Sequence, residues 1–200
     1  MAESDSYSLS LLPHPDTPSG PVRRLAARAE LVAPVSLLLE YLLEADPQQI
    51  RIPPSVTEVG RADHLWAHTC FEAFVGRDES PPYLELNFSP SGQWAAYRFE
   101  TYRQGMAPAV LESEPRLAWR RSARGLALQA EVSLSDASDR RVFGAKARGG
   151  GRLRIALSAV VEDRKGGLSY WALRHPPGRP DFHHPDAFSL ALAIPGKIRS

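Results

Sequence analysis

The sequence predicts an all-β protein, an antiparallel β-sandwich of the jelly-roll or immunoglobulin-like kind, and three observations carry that expectation. Apolar residues recur with period two in segment after segment, the pattern of half-buried strands. The 18 prolines and 14 glycines fall between those segments as punctuation and form no low-complexity tract. One hairpin is legible outright: Tyr83-Leu-Glu-Leu-Asn-Phe88 and Gln93-Trp-Ala-Ala-Tyr-Arg-Phe99 flank a turn at Ser89-Pro-Ser-Gly92.

At 200 residues the chain fits one domain with a sizeable core. Its expected limits are an N-terminal extension at 1–21, a sandwich over 22–195 and a tail at 196–200. Residues 35–45 satisfy two patterns, because Leu, Glu and Ala favour a helix while Val35, Leu37, Leu39, Tyr41 and Leu43 alternate. The β-rich surroundings select a strand with apolar side chains on both faces. In the hairpin, alternation places Leu84, Leu86, Phe88, Ala95, Tyr97 and Phe99 on the core face. Tyr83, Glu85, Asn87, Trp94, Ala96 and Arg98 fall on the other. Residues 126–134 and 153–161 repeat the pattern, with a short helix expected over 135–142 and a tight glycine turn at 149–151. Ser169-Tyr-Trp-Ala-Leu173 reads as a short aromatic strand before a proline-rich loop, and 188–194 as the last strand.

A formal net charge of +1 predicts no strong field toward nucleic acid or acidic lipid. No apolar run reaches membrane-spanning length, and acidic residues stand where a secretory leader has basic ones. The single cysteine, Cys70, excludes an intramolecular disulfide and is expected to be a buried, inert thiol. A cytoplasmic protein with neither nucleic-acid nor membrane partner is expected; oligomeric state is left open.

The segments Leu65-Trp66, Thr69-Cys-Phe-Glu-Ala-Phe74, Tyr83 to Trp94, Trp171-Ala-Leu173 and Pro180-Asp-Phe-His-His184 resemble the bacterial DOMON-like proteins. They are also similar to the type-nine carbohydrate-binding modules related to that family. The resemblance implies an antiparallel sandwich with a ligand site, since related domains bind sugars or haem. Carried over by motif, the sugar-binding positions fall on Trp66, Glu72, Asn87 and Trp94.

A sugar offers vicinal hydroxyls at its edge and C–H groups on its faces, so its site needs planar bidentate partners and an aromatic platform. Glu72, Glu85, Asn87 and Arg98 supply the first; Trp94, Trp66 and Trp171 supply the second. The competing reading makes Glu85 and Arg98 a cross-strand ion pair and the tryptophans core. Arg98, Tyr102 and Arg103 allow an anionic ligand, because guanidinium grips carboxylate or phosphate with two hydrogen bonds. The loop 175–186 gathers His175, His183, His184 and Asp186, a weak donor set for a divalent metal; its bland reading is a proline-stiffened wall. The expected function is non-catalytic binding of a small polar ligand, most plausibly a saccharide, with no cofactor. The alternatives are a haem-binding redox domain, for which Met106 is the one internal methionine, and an enzyme acting on a sugar or its phosphate. That enzyme would use Glu72, Glu85 or the His183/His184 loop.

Overall fold

The structure is a computed structural model and describes residues 9–33, 36–57, 59–78, 80–134, 142 and 151–194. In chain order the strands are β1 (Leu9–Ser10), β2 (Leu12–Pro13), β3 (Val22–Ala33), β4 (Ser36–Ala45), β5 (Cys70–Arg77), β6 (Tyr83–Phe88) and β7 (Trp94–Phe99). They continue with β8 (Ala107–Pro108), β9 (Arg116–Ser122), β10 (Gly125–Ser133), β11 (Gly151–Glu162), β12 (Leu168–Ala172) and β13 (Leu190–Ile194). One sheet orders as β1-β3-β4-β10-β9 and the other as β2-β12-β11-β5-β6-β7-β8, with β13 beside the first half of β11. Every ladder is antiparallel, so the fold is the antiparallel β-sandwich expected from the alternation.

The core between the sheets follows from register. Leu37, Leu39, Tyr41 and Leu43 of β4 face Val132, Ala130, Leu128 and Leu126 of β10, and all eight are buried. Across the gap lie Phe71, Ala73 and Val75 of β5, Leu84, Leu86 and Phe88 of β6, and Leu153, Ile155 and Leu157 of β11. Each large apolar side chain so buried contributes roughly 1.5–3 kcal/mol. Tyr41 reaches through this core and donates its hydroxyl to the Glu72 carbonyl at 2.6 Å, tying the two sheets together. Gly125, at φ +146°, opens β10 against the backbone of β4; a Cβ there would stand 1.9 Å from the Leu43 carbonyl oxygen.

Residues 36–45 form the expected strand, but only one of its apolar faces is buried, since Leu42 on the opposite face is 40% exposed. Nothing in the described chain covers that outer face, and ion pairs such as Arg28 with Glu40 at 3.2 Å occupy it instead. Residues 9–13, expected within an N-terminal extension, are edge strands of both sheets. Leu11 is buried where the chain crosses from β1 to β2. Residues 135–141, most of the expected short helix, lie outside the described residues, as do 149–150 and the tail at 196–200.

The second sheet is buried on both faces. All of β6 and all of β5 except Arg77 are buried. The outer face is covered by a one-turn 3-10 helix at Leu65–Ala67 and by the 173–189 segment, which seat Leu65, Phe182 and Ala187 against Phe74, Tyr83 and Phe99.

Candidate functional site

Directly paired residues of adjacent strands share a face, so register decides which polar side chains meet beneath that cover. On the outer face Ser158 of β11 pairs with Glu72 of β5, and Glu72 with Asn87 of β6. The adjoining row runs Ala156, Phe74, Glu85 and Tyr97. Four polar side chains thus stand at the centre of a sheet where both neighbours of each strand are satisfied by ladder hydrogen bonds.

Their burial is nearly complete. Glu72 is 3% exposed, Glu85 5%, Asn87 0% and Ser158 1%. Asn87 Nδ2 donates to Glu85 Oε1 at 2.7 Å, and the Cys70 thiol lies 3.9 Å from Asn87 Oδ1. Glu72 Oε1 and Ser158 Oγ are buried with no hydrogen-bond partner. Burial, and then the nearby Glu85 carboxyl, push Glu72 well above the usual carboxylate range. Burial also raises Glu85, against the hydrogen bond from Asn87 and the charge of Arg103. Both groups therefore tend to hold their protons, and a protonated carboxyl offers one donor and one acceptor in the same plane.

These side chains form the floor of a cavity of about 370 Å³. Its walls are Trp66, Phe74, Phe99, Tyr170 and Phe182, with Arg103, Met106, Pro180 and His183 around them. Phe99 stacks on Tyr83 at 5.0 Å, and Trp66 meets Tyr97 edge-on at 5.7 Å. Tyr83 fixes the far wall: its oxygen accepts from the Arg103 backbone N–H at 3.3 Å and lies 2.9 Å from His183 Nδ1, to which it is hydrogen-bonded. The other ring nitrogen, Nε2, stands 3.7 Å from Glu85 Oε2. Burial and the Arg103 charge push His183 down to about 4, so it stands as neutral imidazole. Burial raises the Tyr83 phenol to about 12. The arrangement provides a buried, hydrogen-bonding floor inside aromatic walls.

Of the residues expected at a site, Trp66, Glu72 and Glu85 line this cavity and Asn87 braces its floor. Trp94 does not reach it. Five residues, Ser89 to Gln93, make the turn, closed by Ser89 N–H to the Gln93 carbonyl at 2.9 Å, and Phe88 pairs with Trp94. The one-residue difference in register reverses the faces of β7, so Ala95, Tyr97 and Phe99 share the outer face with Glu85. Trp94 packs in the core between the sheets. Arg98 goes with it, opposite Leu84 on the face away from Glu85, and pairs with Glu100 at 3.5 Å. The Glu85–Arg98 ion pair offered as the competing reading is absent for the same reason. Trp171 is likewise a core residue, its indole N–H on Ser169 Oγ at 3.0 Å. Tyr102 is 46% exposed and donates to Asp181.

The loop histidines do not converge. His175 Nε2 donates to the Leu12 carbonyl at 2.8 Å, His183 is held by Tyr83, and His184 Nδ1 accepts the Asp186 backbone N–H at 3.2 Å as a helix cap. Among the described residues no three His, Cys, Asp or Glu side chains are grouped as a metal ion would need. Of the three residues expected to allow an anionic ligand, Arg103 alone lines the cavity; sequence reasoning missed Ser158, Phe99 and Phe182. Ser158 was detectable as the lone polar residue within the apolar run 155–161; the aromatic walls come from contacts remote in sequence.

No family model matches the chain, and no curated protein matches it. Solved structures do. A protein of Bacteroides uniformis proposed to bind carbohydrate superposes with a TM-score of 0.66 at 15% identity, over 94% of this chain and 84% of its own. A family 9 carbohydrate-binding module of Caldicellulosiruptor kristjanssonii, solved with glucose, gives a TM-score of 0.49 at 12% identity over 100% and 90%. The same organism's family 9 module with cellotriose gives 0.49 at 10% over 86% and 74%. At these identities the first likeness shows the fold alone.

Proposed function

We propose that this protein binds a small polyhydroxylated ligand, a saccharide or sugar derivative, in the cavity on the outer face of the second sheet, without transforming it. Glu72 carries the reading. Its carboxyl is buried on the cavity floor, and one oxygen has no partner among the described residues. Leaving such a group unmade costs about 1–3 kcal/mol, a standing cost that a ligand hydroxyl would relieve. Glu72 and Glu85 present carboxyl oxygens to the cavity, as hydroxyls of a sugar require. Trp66, Phe74, Phe99 and Tyr170 present ring faces and edges for C–H groups. A neighbour of the same fold is itself proposed to bind carbohydrate, which agrees with the reading.

Isothermal titration of the purified chain with a panel of neutral and acidic monosaccharides and disaccharides tests it. Saturable binding, weakened at least tenfold in Glu72→Ala, is the expected result. Binding that is unaffected by Glu72→Ala, or no binding across the panel, overturns it. A second reading rests on the same two carboxyls, because a pair of buried acids raised above the ordinary carboxylate range is also what general acid catalysis uses. New anomeric or phosphate signals in an NMR time course of the bound sugar would select that reading.

A further inference from the structure

We infer that the ligand of this cavity carries an anionic group, a carboxylate or phosphate on the sugar, and that Arg103 is the residue that selects it. The inference rests on the saccharide reading above and adds the charge of the ligand to it.

Arg103 is the one cation among the described residues lining the cavity. It is held there by three separate devices. The turn 100–105 closes on itself through Glu100 N–H to the Gln104 carbonyl at 2.9 Å and Gln104 N–H to the Thr101 carbonyl at 3.1 Å. Arg103 occupies its left-handed position at φ +55°, a conformation that a bulky side chain adopts at a cost. Its backbone N–H is bolted to Tyr83 on the sheet beneath. The guanidinium is then aimed by Asp181, which accepts from Arg103 Nη2 at 2.8 Å while also accepting from Tyr102 and from the His183 backbone N–H at 3.0 Å.

A purely structural strap would need none of the remaining guanidinium donors. Asp181 holds the guanidinium through Nη2, and the side chain, part of the cavity lining, remains 51% exposed, so a planar group with donors to spare borders the cavity. Burial weakens the negative charge that would oppose an anion elsewhere in the lining. Glu72 and Glu85 are shifted toward their protonated forms, and His183 is neutral. A sugar acid or sugar phosphate could therefore place hydroxyls on Glu72 and Glu85 and its anion on Arg103, whereas a neutral sugar would leave the guanidinium to water.

The test titrates the intact chain with three probes under one buffer: glucose, glucuronate and glucose 6-phosphate. The charge-assisted bidentate contact predicts that at least one anionic probe binds roughly ten- to a hundredfold tighter than glucose. That ratio should shrink as salt rises. In Arg103→Gln the ratio should fall toward one, and in Arg103→Lys, which keeps charge but loses the fork, to an intermediate value. The two anionic arms distinguish carboxylate from phosphate. If glucose binds as well as both anions, the inference fails and the saccharide reading stands. A preference that persists in both Arg103 variants places the anion on another group and also overturns the inference. If none of the three binds and the wider saccharide panel fails too, both fall together.

Discussion

The outer face of the five-stranded sheet holds Arg28, Glu30 and Glu40 in water, each 39–46% exposed and paired with its neighbours. The outer face of the second sheet holds Glu72, Glu85, Asn87 and Ser158 at 5% exposure or less, beneath a covering loop. Both faces bear polar residues at alternate positions of their strands, and the sequence patterns look alike. Solvation separates them. Charges on the first face lose little by sitting there, because water and partners satisfy them. On the second face one Glu72 carboxyl oxygen and the Ser158 hydroxyl are buried with no partner among the described residues, a loss of stability that no fold requires. A sheet that buries its polar face under a loop, with a cavity left between, is organised around something that enters the cavity.

The sharpest break of the comparison comes from the inner side of the same hairpin. Trp94 packs against the first sheet, so Trp94→Ala should cost about 3–5 kcal/mol in urea unfolding, the usual penalty for emptying a core tryptophan site. Ligand affinity of the fraction that remains folded should be little changed. Retained stability with abolished binding would restore Trp94 to the outer face and undo the register described here. This is also where the sequence was misread. Period two gave the faces of β6 and β7 separately, but only the turn length joins them, and a turn at Ser89–Gly92 differs from one at Ser89–Gln93 by a single residue.

Other parts were legible for physical reasons that can be named. β4, β10 and β11 alternate over 9–12 residues, which overrides the helix propensity of Leu and Ala once the neighbours are strands. β9 went unread because an edge strand buries little: only Leu117 and Trp119 of Arg116–Ser122 pack toward the core. Glu72, Glu85 and Asn87 stood out as polar residues among apolar ones. Arg103 stood out only beside Arg98 and Tyr102, which the fold does not bring to the cavity. Phe182 did not stand out, because a loop returning from far along the chain brings it to this face, and strand patterns say nothing about where such a loop docks.

Titration separates the two faces next. His183 is held down from its ordinary 6.5 to about 4 chiefly by burial, so the unfolded chain binds its proton more readily. Its contribution to stability is present above pH 6.5 and lost as pH falls toward 4, up to roughly 3 kcal/mol. The raised carboxyls work in the opposite sense. Glu72 and Glu85 hold protons more tightly folded than unfolded, so their contribution is full below the ordinary carboxylate range and is lost as pH rises through their elevated values. The two trends offset each other in the native protein. In Glu72→Gln, stability followed by urea midpoint should fall more steeply between pH 6.5 and 4.5 than in the parent; in His183→Gln it should rise over that interval. Parallel curves for all three proteins would mean that these side chains are solvated after all.

A smaller change tests whether the buried carboxyl is held for a ligand. Glu72→Leu replaces it with hydrocarbon of similar volume, and without ligand should stabilise the protein by about 1–3 kcal/mol, the cost of an unsatisfied buried polar group. The same variant should lose saccharide binding. A gain in stability with a loss of binding is the signature of a group retained for function. Destabilisation by Glu72→Leu would show instead that the carboxyl makes a structural contact.

The smallest effect belongs to the solvated face and completes the contrast. Arg28 pairs with both Glu30 and Glu40, whereas one oxygen of Glu72 has no partner among the described residues. All three side chains keep a large share of their hydration, so each ion pair replaces water with little net gain and is weakened further by salt. Arg28→Ala should shift stability by only ~0.2–1 kcal/mol, less at high salt than at low, and leave ligand binding unchanged. A cost of several kcal/mol would mean that this face is covered too, by a partner or by chain outside the described residues. The difference between the sheets would then be one of what covers each face rather than whether it is covered.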